Sequence, residues 1–211
     1  MKNATVGFRV HSGWSAVVAV CVEKGKPVVL HRERLQLVEK FAYRFRQPYH
    51  TGERMEFAEA REFIAGVREK GSELAYRAIH GLQADLEGRG YKLSRGALLL
   101  ASGRPLPELE KILASHALIH TADGELFREC LLHASERSGI EVVSIREREL
   151  LEQAAKTLRV PQPGLLQRVT ELGRPFGSPW TQDEKFATLA AWVAACGFKK
   201  AASKTRSGAP A

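Results

Sequence analysis

With 211 residues, 44% of them apolar, the chain can bury one substantial core or at most two small ones, and one domain over 1–196 is expected. No run approaches the roughly 20 apolar residues of a membrane span, and Met1-Lys2-Asn3-Ala4-Thr5 enters a strand without an export-type apolar region, so a soluble cytoplasmic protein with no membrane partner is expected. Of the formal charge of +8, Lys199, Lys200, Lys204 and Arg206 supply four units from an acid-free stretch, 197–211, that reads as a disordered basic tail, which leaves the remainder only mildly basic.

Val6, Phe8 and Val10 alternate with Gly7 and Arg9, the pattern of a strand. A Ser12-Gly13 turn, the almost wholly apolar run Trp14 to Val22, and a Gly25 turn before Val28 to Val38 complete a predicted three-strand antiparallel meander. Gln47 to Gly52 reads as a connecting loop. Phe57, Ala60, Ile64, Val67, Leu74, Ala75, Ile79, Leu82 and Leu86 keep helical spacing and predict one long helix from near Met55, with Gly66 and Gly71 as weak points and Gly88 or Gly90 as the stop. Ala97 to Ala101 is a continuous apolar run suited to a parallel strand covered on both faces. Pro107 to Ser138 predicts one or two helices with a junction near His120 to Gly124, Ile140 to Ile145 a fifth strand, and Glu147 to Leu158 a short helix. The Pro- and Gly-rich region near 160–180, around the amphipathic piece Leu165 to Leu172, reads as an insertion or lid. Thr181-Gln182-Asp183-Glu184 is a capping-box sequence, and it opens a last helix whose Ala187, Ala190, Ala191 and Ala194 permit close approach to a sheet.

Chemistry-bearing residues are sparse. Cys21, Cys130 and Cys196 are far apart among apolar neighbours, which suits buried reduced thiols. Arg32, Arg34, Lys40, Arg44 and Arg46 interleave with Phe41, Tyr43, Phe45 and Tyr49, a composition that could form a cationic surface for stacked bases; the same residues also suit a solvated edge strand. His116 and His120 share a helix face as a zinc pair would, but no third ligand is evident, so neither metal nor other cofactor is expected. His11 and Ser12 are adjacent on a strand and point to opposite faces. No phosphate-binding Gly-rich loop occurs.

The element order resembles the ribonuclease H-like superfamily, and within it the RuvC-type Holliday-junction resolvases. The residues carrying the resemblance are Val6-Gly7-Phe8 with the Ser12-Gly13-Trp14 turn, Ala97 to Ala101, the passage His120 to Ile145 and the last helix with Asp183 near its start. The resemblance implies an α/β fold: a mixed five-stranded sheet, three strands of antiparallel meander plus two parallel strands, flanked by helices. It also implies acids on the first strand, at the end of the fourth and on the final helix, which together hold two divalent ions that activate water and stabilise the leaving oxygen. Here the first falls on Arg9 or near His11, the second on Ala101 or Ser102, and only Asp183, perhaps with Glu184, keeps its charge. One carboxylate cannot hold two hard cations. Asp183 also suits a plain helix N-terminal acid.

Two expectations follow. One is a catalytically degenerate module that binds nucleic acid weakly and nonspecifically through Arg32, Arg34, Arg44, Arg46 and the tail cations Lys199, Lys200, Lys204 and Arg206, or that binds a protein partner or a second copy of itself. The other is a phosphodiesterase with a rebuilt site drawn from His11, Ser102, His120, Glu125 and Asp183, using one metal or none. Glu125 and Arg128, three apart, can pair on one helix face and are expected to border the same end of the sheet as His11, serving a ligand or partner there.

Overall fold

The computed structural model describes residues 1–101 and 105–197. Strand β1 (Lys2–His11) lies at the centre of a five-stranded sheet of order β3-β2-β1-β4-β5. It pairs antiparallel with β2 (Trp14–Glu23), which pairs antiparallel with β3 (Lys26–Gln36). On its other edge β1 runs parallel to β4 (Tyr91–Leu100), and β4 runs parallel to β5 (Glu141–Arg146). Positive φ at Lys24 (49°) and Gly25 (76°) makes the β2–β3 connection a two-residue turn whose twist matches the strands it joins. The mixed five-stranded sheet that the resemblance implies, an antiparallel meander plus two parallel strands, is the one observed.

Helices cover both faces. On one side α3 (Phe57–Gly88) and α5 (His116–Arg137) pack on Val6, Phe8 and Val10 of β1 and Val17, Ala19 and Cys21 of β2. Gly71 is a close-contact point and not a weak one, because a Cβ there would stand 3.0 Å from Cys130 Sγ and 3.2 Å from Leu37 O. On the other side α8 (Gln182–Ala195) lays Ala187 and Ala191 against Ala16, Val18 and Val20. Its Leu189, Ala190, Trp192 and Val193 join Ala97, Leu99, Val143 and Ile145 in a further cluster. The predicted capping box is present: Thr181 Oγ1 accepts from the Asp183 N–H at 3.1 Å, and Glu184 accepts from the Thr181 N–H at 2.7 Å. This cap fixes the entry of α8 and so the position of Asp183.

Several local expectations are corrected. The third strand stops at Gln36, and the basic-aromatic segment is not a continuous edge strand, because 43–46 forms the short helix α1 (Tyr43–Arg46). The expected loop 47–52 is helix α2 (Pro48–Gly52), with Pro48 at the first position, where a missing N–H costs nothing. The junction in the central helical region falls at Ala114 and Ser115, between α4 (Leu109–Leu113) and α5, so His120 to Gly124 lies within a continuous helix. Glu147 to Glu149 forms a 3-10 turn before α6 (Leu150–Leu158). The region near 160–180 is α7 (Gln162–Leu172) with a 3-10 turn, and Leu165 and Val169 are wholly buried in the α8 cluster, so this region is packed as core and not raised as a lid. Cys21 and Cys130 are buried as expected; Cys196, at the end of α8, is exposed. Among the described residues no helix is long and apolar enough to cross a membrane.

Candidate functional site

Alternation along β1 places Arg9 and His11 on the α8 face, at the strand's C-terminal end. Arg9 grips Glu147 with two parallel hydrogen bonds, Nε to Oε2 at 3.0 Å and Nη2 to Oε1 at 2.6 Å, while its Nη1 donates to Asp183 Oδ1. His11 Nε2 stands 2.7 Å from the same Asp183 oxygen. One guanidinium thus bridges two carboxylates, one from the turn after β5 and one from the first turn of α8. The Arg9 side chain is only 16% exposed, with its carboxylate partners at 35% and 21%. Its hydrogen bonds to Glu147 push its pKa upward against the opposing effect of burial, so the cation is permanent. The ring of Phe186 closes the site at 5.2 Å from the Arg9 guanidinium carbon.

An aromatic and cationic surface adjoins this cluster. His11 stacks on Trp14 with ring centroids 4.4 Å apart and planes 12° from parallel, and the Arg34 guanidinium lies 4.0 Å from the Trp14 ring centre. Phe41, 43% exposed, sits between Arg34 at 5.7 Å and Arg46 at 4.6 Å. Arg44 lies over Phe45 and Phe63 at 5.2 and 5.1 Å. Arg32 is committed elsewhere: it donates to the carbonyls of Pro179 and, at 3.5 Å, of Gly177, tying the turn before α8 to the sheet edge.

The remaining predicted residues divide among other places. Ser102, Lys199, Lys200, Lys204 and Arg206 lie outside the described residues. Glu125 and Arg128 do pair, at 3.1 Å, and are only 14% and 13% exposed. Arg128 also donates to Leu99 O at 3.2 Å, which pins α5 to the end of β4. Leu98 is in register with Phe8, so this tie stands level with Arg9 along the sheet while belonging to α5, on the other face. His120 lies exposed on α5, its Nε2 3.1 Å from His116 Nε2. A third imidazole, His50 of α2, completes a group whose ligand atoms all lie within 4.8 Å of one another, so the expectation that these histidines lack a third neighbour is corrected. Asp123, buried on α5, accepts from His50 Nδ1 and, at 2.8 Å, from the Tyr49 N–H. Burial pushes the Asp123 carboxyl upward, and the hydrogen bonds from His50 and Tyr49 oppose that push.

Glu147, Trp14 and His50 were not among the predicted site residues. Glu147 had a signal, since it is an acid just beyond a predicted strand end. His50 had none, because only the folding of α2 against α5 brings it to His116 and His120.

The five-stranded order β3-β2-β1-β4-β5 with helices on both faces is a ribonuclease H-like fold of the RuvC type. Solved structures bear this out. The chain is similar to Thermus thermophilus RuvC (TM-score 0.51, 13% identity, covering 92% of this chain and 93% of that one). It is equally similar to T. thermophilus RuvC in complex with Holliday junction substrate (0.52, 13%, 92% of each chain). The yeast mitochondrial Holliday junction resolvase Ydc2 aligns with TM-score 0.50 and 11% identity over 91% of this chain and 76% of that one. No protein-family model and no curated protein sequence matches the chain.

Proposed function

We propose that the protein is a non-catalytic ribonuclease H-like module that binds nucleic acid on the surface formed by Trp14, Arg34, Phe41, Arg44 and Arg46. The observation that carries this reading is the Arg9 guanidinium seated between Glu147 and Asp183. It takes the carboxylate oxygens that a hard divalent cation would need, and its own charge repels such an ion. Phosphodiester hydrolysis by the two-metal route therefore loses its centre. The likeness to a RuvC bound to Holliday junction substrate supports nucleic acid as the ligand class. Exposed Phe41, flanked by two guanidinium groups, supports stacking of unpaired bases with phosphates held alongside.

The full-length protein is expected to leave branched, hybrid and single-stranded nucleic acid intact in magnesium or manganese while binding it in a salt-sensitive manner. Metal-dependent cleavage that disappears in Asp183→Asn would overturn the reading. Cleavage that persists in chelator and disappears in His11→Ala would favour a rebuilt, metal-free phosphodiesterase. Phe41→Ala is expected to weaken single-strand binding by about 1–3 kcal/mol, the usual worth of one stacked base, without loss of fold, because the ring is solvent-facing. Removing 197–211 is expected to flatten the log-log salt dependence by about 3.6 on duplex DNA if all four tail cations touch phosphates. Failure of any nucleic acid to bind at low salt would leave a protein partner as the ligand.

A further inference from the structure

We propose that His50, His116 and His120 form a binding site for a transition-metal ion, zinc(II) being the best match, on the helical layer opposite the Arg9 cluster. His116 opens α5 and His120 follows one turn later, so both imidazoles leave the same face of that helix. His50 arrives from α2. The three rings stand 4.4 to 5.4 Å apart by centroid with planes crossing at 71° to 88°, and each brings a ring nitrogen within 4.8 Å of the others.

The nitrogen positions suit a small ion. Two imidazole nitrogens on one tetrahedral zinc, each at about 2.0–2.1 Å, stand roughly 3.4 Å apart. The His116 and His120 Nε2 atoms are 3.1 Å apart, close to that edge, and all ligand atoms of the trio fall within 4.8 Å of one another. Asp123 supplies the orienting partner. It lies three residues beyond His120 on the same helix and accepts a hydrogen bond from His50 Nδ1–H, the tautomer that leaves Nε2 of that ring with its lone pair for a metal. Its second oxygen is held by the Tyr49 N–H, so the carboxylate is itself fixed. A carboxylate buried to 3% exposure behind a histidine is the arrangement by which zinc ligands are commonly aimed.

The donor set selects the ion. Three neutral imidazoles with no thiolate or carboxylate among them favour zinc, copper or nickel over magnesium or calcium, which prefer oxygen. His50 is mostly covered, but His116 and His120 are exposed, so the fourth coordination position faces solvent and is open to water or to a phosphate oxygen. The site uses none of the residues of the Arg9 cluster, and its existence does not depend on whether the protein binds nucleic acid.

The test uses the full-length chain stripped of metal by a chelator that is then removed, dialysed against micromolar zinc chloride and assayed for bound metal. One zinc per chain is expected, with affinity falling roughly 100-fold or more in His116→Ala and in His120→Ala, and 10- to 100-fold in Asp123→Asn. Both histidines are exposed, so their removal leaves the fold intact; His133→Ala, exposed farther along α5, should bind as the parent does. Cobalt(II) in place of zinc should show the intense visible absorption of a tetrahedral centre, lost in His116→Ala. Zinc uptake unchanged in the His116→Ala/His120→Ala double variant, no uptake at micromolar zinc, or a six-coordinate cobalt spectrum would each overturn the proposal.

Discussion

Gly7→Ala is expected to be the most damaging conservative substitution in the protein. A Cβ at Gly7 would stand 1.9 Å from Ala187 O and 3.0 Å from Ala191 N, both backbone atoms of α8. No side-chain rotation relieves such an overlap, so the helix must move off β1 as a body. Overpacking ordinarily costs 1–3 kcal/mol, and a backbone overlap belongs at or above the upper end, about 3 kcal/mol or more. For a chain of this length that is a fall in Tm of roughly 6–12 °C. Asp183 lies one helical turn before Ala187, so the same shift draws its carboxylate away from Arg9 and His11. Thermal unfolding followed by circular dichroism checks the first effect. Gly66→Ala is the matched control: nothing lies within 4 Å of its would-be Cβ on α3, and alanine there should gain up to about 1 kcal/mol. Equal stability of the Gly7→Ala and Gly66→Ala proteins would show that α8 does not pack as closely as described.

This contact also explains why the fold was legible in the chain. Period-two alternation at Val6, Phe8 and Val10 identifies β1, and the small residues of the last helix announce a close approach, because each follows from one local rule applied to neighbours in sequence. The short helices α1 and α2 were not legible. Tyr43–Arg46 and Pro48–Gly52 are too short to show a period, and they are set by contacts to distant parts of the chain, Tyr49 through Asp123 and Arg68. The expected junction at His120 to Gly124 failed for a related reason. Gly124 suggests a break, yet its neighbours Asp123, Leu126 and Phe127 are all buried, and tertiary packing carries α5 through it.

The site was legible only where a strand end or a helix cap named its residue. Arg9, His11 and Asp183 sit at such places, and the mismatch at Arg9 was legible only against the first-strand acid that the resemblance implies. The partner that gives Arg9 its meaning could not. Glu147 is 138 residues away, and only the parallel addition of β4 and β5 to β1 brings the turn after β5 alongside. The same holds for Trp14, whose place in the turn is plain but whose stacking between His11 and Arg34 depends on the register of β2 with β3.

Arg9→Met is expected to cost about 2–3 kcal/mol. Removing one member of a fully buried ion pair costs 3–5 kcal/mol, and the partial exposure of Glu147 and Asp183 discounts that range. Methionine keeps much of the volume over Phe186, so the loss reports charge more than packing. The cause is the repulsion left between two carboxylates that share no cation, and adding Asp183→Asn in the same chain should therefore return part of the stability, a non-additivity that separates this explanation from simple loss of contacts. The freed carboxylates should also acquire what the parent lacks, a response to divalent ions. Manganese at ten times its dissociation constant would restore on the order of 1.4 kcal/mol to Arg9→Met, with no matching shift in the parent, whose guanidinium already fills the position. Denaturant midpoints measured with and without manganese decide the matter. If parent and variant respond equally, or if Arg9→Met costs less than about 0.5 kcal/mol, the guanidinium is not the fixed cation of this site and the case against metal-dependent catalysis loses its footing.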